Sequence, residues 1–159
     1  MMIFLTEFLN RKLVEPWNIN LFLNILSGRN MVCEKNFFKM YDEYRRRLDE
    51  MRTSVVNEAM RRIKGLFERY PFLSEDVDAQ DLLRKIDSAE KAFEKELLML
   101  KLIYVLQSRY KDVASELKEI FSWYLDEEEK INDFMDRELK RISREADECI
   151  ELKDPRSNL

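Results

Sequence analysis

Apolar side chains recur at steps of three and four residues through much of the chain, and this spacing limits the possible folds more than any other feature. Between residues 34 and 70 the steps run 4, 3, 4, 3, 4, 4, 4, 3, 4. An α-helix has about 3.6 residues per turn, so these positions share one face, whereas a strand alternates with a period of two. The segment is therefore predicted to be a long amphipathic helix. The line of apolar side chains along this face is called its seam and comprises Phe37, Tyr41, Tyr44, Leu48, Met51, Val55, Ala59, Ile63, Leu66 and Tyr70.

Two later segments, residues 79–109 and 112–149, carry the same spacing and are each predicted to form one long helix. Pro71 should end the helix before them, the acidic stretch 74–78 offers candidate N-caps, and a turn is expected at 108–112. The second half of residues 79–109 is apolar nearly all round, which predicts the most buried helix. The predicted fold class is all-α: an antiparallel helical bundle of three long helices plus a short N-terminal helical hairpin.

The N-terminal 32 residues differ from the rest because they carry five charged side chains against eighteen apolar ones. Pro16 is expected to separate the two short helices of the hairpin. Their apolar side chains either complete the bundle core or form a patch that binds a partner protein. The candidate interface residues are Phe4, Phe8, Trp17 and Phe22.

A chain of this length is expected to form a single domain, with the hairpin at 1–32, the long-helix bundle at 33–150 and a frayed tail at 151–159. Three helices of alternating direction would place Cys33 and Cys149 at opposite ends of the bundle. The two cysteines are therefore expected to be too far apart to form a disulfide and to behave as small apolar side chains.

Histidine is absent from the chain. Its absence removes the Ser-His-Asp and Cys-His nucleophile systems and the metal sites that depend on imidazole. No catalytic residue and no cofactor are predicted, and an enzyme is not expected.

A cytoplasmic protein without membrane contact is expected. The apolar N-terminus lacks a basic region before it, and the longest dense apolar run, 97–106, is too short for a membrane span. Lys, Arg and Glu are plentiful while glutamine occurs only at Gln80 and Gln107, which suggests a heat-loving prokaryotic source.

Charge is spread unevenly. Residues 34–70 carry ten basic and seven acidic groups, net +3, while residues 110–150 carry seven and thirteen, net −6. In the first interpretation the helices lie side by side and their charges complement each other. In the second, the basic face binds nucleic acid, although the net charge of −4 opposes phosphate binding. The candidate residues are Arg45, Arg46, Arg47, Arg52, Arg61, Arg62, Lys64 and Arg69.

Glu96 and Glu129 are candidate metal ligands. The order Glu96, Tyr104, Glu129 resembles one half of the metal site in the rubrerythrin and ferritin-like family, but Asn132 stands where that family has histidine. The resemblance implies a ferritin-like bundle with a degenerate or absent metal site. The other interpretation is a solvated acidic face.

A second resemblance is to the helical domain of GINS replication-scaffold subunits. It rests on Asn36-Phe37-Phe38, Glu43-Tyr44, Leu48 and the run 96–106. This resemblance implies a subunit of a nucleic-acid-associated complex. The function predicted first is nevertheless a non-catalytic helical protein–protein interaction or assembly subunit, either self-associating or part of a larger complex.

Overall fold

A computed structural model describes the backbone of residues 31–153 and the side chains of residues 33–149, and all regular structure in this range is helical. The elements are α1 (Met31–Arg69), a 3₁₀ helix (Pro71–Glu75), α2 (Val77–Ser88), α3 (Ala92–Arg109) and α4 (Lys111–Lys153). The predicted all-α class is confirmed for these residues. The predicted N-terminal hairpin, with its four candidate interface residues, and the C-terminal end of the predicted tail lie outside them.

The chain reverses after α1 where the sequence predicted it. Pro71 occupies the start of the 3₁₀ helix, where its missing N–H costs no hydrogen bond. Asp76 then caps α2, because its side chain accepts a hydrogen bond from the backbone N–H of Ala79 at 3.0 Å. The prediction of an N-cap within the acidic stretch 74–78 is confirmed.

A reversal that the sequence did not predict separates α2 from α3. Ala89 and Lys91 have extended backbone, with ψ of 132° and 135°, so residues 79–109 form two helices instead of one. The Ser88 hydroxyl and the Ala89 N–H both donate to backbone carbonyls at the end of α2 and satisfy that helix end. The α2 and α3 helices pack against each other across this short turn.

The expected turn at 108–112 is present. Tyr110 is extended, and its N–H donates to the carbonyl of Leu106 at 2.9 Å, which closes α3 before α4 begins at Lys111. The described chain therefore reverses three times, and α4 runs antiparallel to α1. Within residues 43–139, contacts such as Tyr44 to Phe134 and Tyr70 to Glu116 show this direction.

The described residues fall into two compact units. One consists of residues 43–139, and the other brings together the start of α1, through Asp42, and the end of α4, from Lys140. In the second unit Cys33 and Cys149 form a disulfide, with their Cα atoms 5.9 Å apart. The expectation that these cysteines are too distant to bridge was wrong, because it counted two reversals and the chain makes three.

The core of residues 43–139 is built from the predicted seams. In α1, Ala59, Ile63 and Leu66 are completely buried, and Leu117 and Tyr124 are equally buried in α4. The prediction for α3 was only partly correct. Its Met99, Leu102 and Leu106 are buried, but an opposite apolar face is exposed, so α3 is not buried all round.

Among the described residues, no helix is both long and apolar enough to span a lipid bilayer.

Candidate functional site

Two glutamates and a tyrosine form a polar cluster inside the helical core. Glu96 of α3 and Glu128 of α4 are 1% and 3% exposed, and Tyr124 of α4 is fully buried. The Tyr124 hydroxyl donates a hydrogen bond to Oε1 of Glu96. Burial raises the pKa of Tyr124, and the nearby Glu96 and Glu128 carboxyl groups raise it further, so its hydroxyl remains a neutral donor.

The cluster revises the predicted metal ligands. Glu96 is buried as a candidate ligand would need to be, but Glu129 is exposed, and the predicted intermediate residue Tyr104 is 49% exposed. The structure therefore does not bring Glu96, Tyr104 and Glu129 together. Glu96 instead accepts a hydrogen bond from the Tyr124 hydroxyl, and the Glu128 carboxyl group also raises the pKa of Tyr124. The described residues contain no group of three His, Cys, Asp or Glu side chains that could hold a metal ion.

The register of the α4 seam could have identified Glu128. Apolar positions recur at Leu117, Tyr124, Ile131 and Met135, and the position four residues after Tyr124 is Glu128. A carboxylate at a seam position faces the core, whereas its neighbour Glu129 is rotated about 100° away. The feature of the sequence that points to Glu128 is therefore a charged residue at a position where the α4 seam is otherwise apolar.

A third buried carboxylate, Asp76, links three of the described elements. Its side chain is 4% exposed and accepts hydrogen bonds from the Ala79 N–H, the Arg109 guanidinium at 3.1 Å and the Tyr110 hydroxyl at 2.6 Å. The Tyr110 hydrogen bond is the largest cause that lowers the pKa of Asp76 from 3.8 to about 2, and the Ala79 N–H and Arg109 contribute. These contacts fix the start of α2 to the end of α3, so Asp76 has a structural role.

The basic residues of α1 are interleaved with acidic partners. Glu58 accepts hydrogen bonds from Arg61 and Arg62, and these lower the pKa of Glu58 to about 2. Arg69 pairs with Glu116 of α4 at 2.7 Å. Further ion pairs join Arg46 to Glu50, Arg47 to Glu138 and Lys64 to Asp87.

Arginines of the same set also make contacts with an aromatic ring and with sulfur. The Arg62 guanidinium lies 4.1 Å from the ring centroid of Trp123, and Arg52 lies 3.7 Å from the sulfur of Met135. Arg45 is exposed. Over its described side chains, α1 therefore presents charges of both signs to solvent.

An open groove of about 450 Å³ lies between α1 and α4 within residues 43–139. Its lining combines apolar side chains with charged ones of both signs, and Lys130 is paired to Glu127 at 2.9 Å. The lining residues are Arg47, Glu50, Met51, Ser54, Val55, Glu127, Lys130 and Ile131. The groove is a concave surface, but its lining contains no convergent set of reactive groups.

The outer face of α3 carries three of the six exposed large apolar side chains among the described residues. We define it as Phe93, Glu94, Leu97, Lys101 and Tyr104. Phe93 and Leu97 are each 37% exposed, although both are large and apolar. Glu94 and Lys101 are exposed beside them. Large apolar side chains aligned on a charged surface are typical of protein contact sites.

Comparison of the chain with protein-family models, with curated proteins and with solved structures finds no match. The resemblances to ferritin-like proteins and to GINS subunits remain sequence-based predictions.

Proposed function

We propose that this protein is a non-catalytic helical interaction or assembly subunit. The observation that carries the proposal is the outer face of α3, where Phe93, Leu97 and Tyr104 remain exposed although the opposite face of the helix packs into the core. Exposed aromatic and leucine side chains favour association, because burying them against a partner removes apolar surface from water. The predicted N-terminal hairpin would add a second, charge-poor contact surface.

The site chemistry supports the same proposal. The cluster of Glu96, Tyr124 and Glu128 is closed to solvent, so a substrate could not reach it without helix separation. The ion pairs of Arg61, Arg62 and Arg69 use carboxylates of the same chain, which reduces the positive potential that nucleic-acid binding requires. The nucleic-acid alternative therefore gains no support from the geometry.

The direct test changes one side chain of the outer face of α3. Leu97→Glu should abolish self-association or partner binding, since a charge would replace apolar contact. Val77→Glu is the matched control, because Val77 is 77% exposed at the start of α2, where an added acidic group suits the helix dipole. Light scattering at several concentrations, together with binding to candidate partners purified from native extract, measures the effect.

Two results would contradict the proposal. The first is a strict monomer at every concentration that also retains no partner. The second is equal association by the Leu97→Glu variant and the wild type. Circular dichroism melts of both variants, with Leu97→Ala as a milder change, separate loss of assembly from loss of folding.

We further propose a cytoplasmic location in a heat-loving organism. Disulfides are rare in the cytosol of mesophiles but common in hyperthermophile proteins, and the composition rich in Lys, Arg and Glu agrees with such a source. An oxidising compartment is the other explanation for the Cys33–Cys149 bond. A melting temperature above about 90 °C favours the first explanation, and one in the mesophile range of about 45–65 °C favours the second.

A further inference from the structure

We infer that the outer face of α3 binds a second copy of this chain, with the two α3 helices antiparallel. The inference rests on the proposed interaction function and names the partner and the register. Phe93, Leu97 and Tyr104 are four and seven residues apart, so they align along one side of the helix over about 16 Å. Leu98 and Val105 are half-buried and lie beyond Glu94 and Lys101 on the same side of this stripe.

The two charged residues on this face are of opposite sign and follow each other along the helix. Glu94 and Lys101 are seven residues apart, which is about two helical turns, and both project from the same side of the apolar stripe. Neither forms an ion pair with another residue in the described part of the chain. The face therefore offers one negative and one positive group to a partner.

A dimer with its two-fold axis perpendicular to α3 would pair both the apolar stripe and the two charged residues with their counterparts on the second copy. An axis between Leu97 and Leu98 brings Glu94 opposite Lys101 of the second copy. An axis one residue further along brings Phe93 opposite Tyr104 of the second copy. Because both pairings need nearly the same axis, one antiparallel arrangement satisfies them together and repeats each contact twice. Aromatic rings and opposite charges then meet across the interface.

A parallel arrangement lacks this match. It would bring each residue level with its own copy, Glu94 with Glu94 and Lys101 with Lys101, so the opposite charges would be two turns apart. At an exposed site such a separation leaves little attraction. The charge pattern thus favours the antiparallel dimer.

The size of the contact sets the expected affinity. An 18-residue helix is about 27 Å long, so one helix against one helix buries less than the roughly 1,600 Å² of a standard stable interface. We expect a reversible dimer with a dissociation constant in the micromolar range, on the order of 10 µM.

Charge reversal provides the test, because Glu94 and Lys101 are exposed and their replacement leaves the core intact. Glu94→Lys and Lys101→Glu should each weaken the dimer about tenfold, since each creates two like-charge contacts. The double variant Glu94→Lys/Lys101→Glu should return to within about threefold of wild type, because the exchange restores opposite charges. Glu119→Lys, an exposed reversal on α4, is the control and should have no effect.

Sedimentation velocity of the full chain from about 1 to about 200 µM measures the dissociation constants. Weakening by both single reversals together with recovery in the double variant is the expected result. Loss of assembly in Leu97→Glu with no response to either reversal overturns this register while the proposed interaction function stands. A wild type that is monomeric throughout the range overturns the dimer, and the proposed function then depends on binding to a different protein.

Discussion

Cys33 and Cys149 are joined by a disulfide although they lie 116 positions apart in the sequence. The bond ties the start of α1 to the end of α4, so it encloses nearly all of the described chain. A crosslink that closes so long a loop restricts the unfolded chain more than the folded one. The disulfide is therefore expected to be a large contributor to stability.

Reduction of this disulfide should destabilise the protein by about 3–5 kcal/mol, because the unfolded chain regains the conformations that the crosslink removes. The expected fall in melting temperature is about 10 °C or more. Thermal melts with and without reductant measure it. The variant Cys33→Ser/Cys149→Ser should melt near the reduced wild type and should not respond to reductant. Two free thiols in the denatured, unreduced wild type would contradict the prediction.

The missed disulfide shows where sequence reasoning failed. The apolar steps Leu82, Ile86, Ala89 and Phe93 continue without interruption across the turn between α2 and α3, and that turn contains neither glycine nor proline. Periodicity reports which face is apolar and does not report whether the axis bends. Because one reversal was missed, the direction of α4 was inverted, and Cys149 was placed at the wrong end.

Asp76→Asn should lower stability by about 2 kcal/mol at neutral pH, because hydrogen bonds from Tyr110, Ala79 and Arg109 favour the ionised carboxylate in the folded state. Its folded pKa is depressed from 3.8 to about 2. This stability is therefore present above about pH 4 and is lost as the pH falls from there through about 2.

Urea unfolding between pH 2 and pH 7 checks this prediction. The difference between wild type and Asp76→Asn should shrink as the pH falls below about 4. Asp78→Asn is the matched control, because Asp78 also pairs with Arg109 but its side chain is 64% exposed, so its loss should cost less than about 0.5 kcal/mol. A constant difference across the whole range would count against the assigned role of Asp76.

Gly65→Ala should stabilise the protein by about 0.5–1 kcal/mol. Gly65 lies inside α1, and an added Cβ would meet no atom within 4 Å. Alanine lowers the entropy of the unfolded chain and suits a helix interior better than glycine. Chemical denaturation measures the gain, with Ser115→Ala on α4 as a smaller helix-propensity reference. A loss of stability would show that the site has less space than the structure indicates.

The candidate site was predictable only in part. Glu96 was selected because it lies beside an apolar seam, and it is buried. Glu129 was selected from an acidic run in which the α4 register favours Glu128, so an error of one residue moved the candidate from the core to the surface. The exposed face of α3 could not be predicted, since a helix that is apolar nearly all round does not reveal which side its neighbours leave uncovered.

Tyr124→Phe should destabilise the protein by about 1–3 kcal/mol at neutral pH, because it removes the hydroxyl that donates to buried Glu96. Tyr104→Phe is the matched control: Tyr104 is exposed on α3, and loss of its hydroxyl should cost less than about 0.5 kcal/mol. Urea unfolding of the three proteins at one protein concentration measures both changes.

The alkaline branch of the same experiment tests the environment of Tyr124. Burial and the neighbouring Glu96 and Glu128 raise its folded pKa above the ordinary value of 10. A raised pKa gives stability that is fully present below pH 10 and declines as the pH rises above it, because only the unfolded tyrosine then loses its proton. Wild type should therefore lose up to about 1.4 kcal/mol per pH unit more than Tyr124→Phe above pH 10. Parallel pH curves for the two proteins would mean that Tyr124 ionises in the folded state as readily as in the unfolded one, and the cluster would then be open to water.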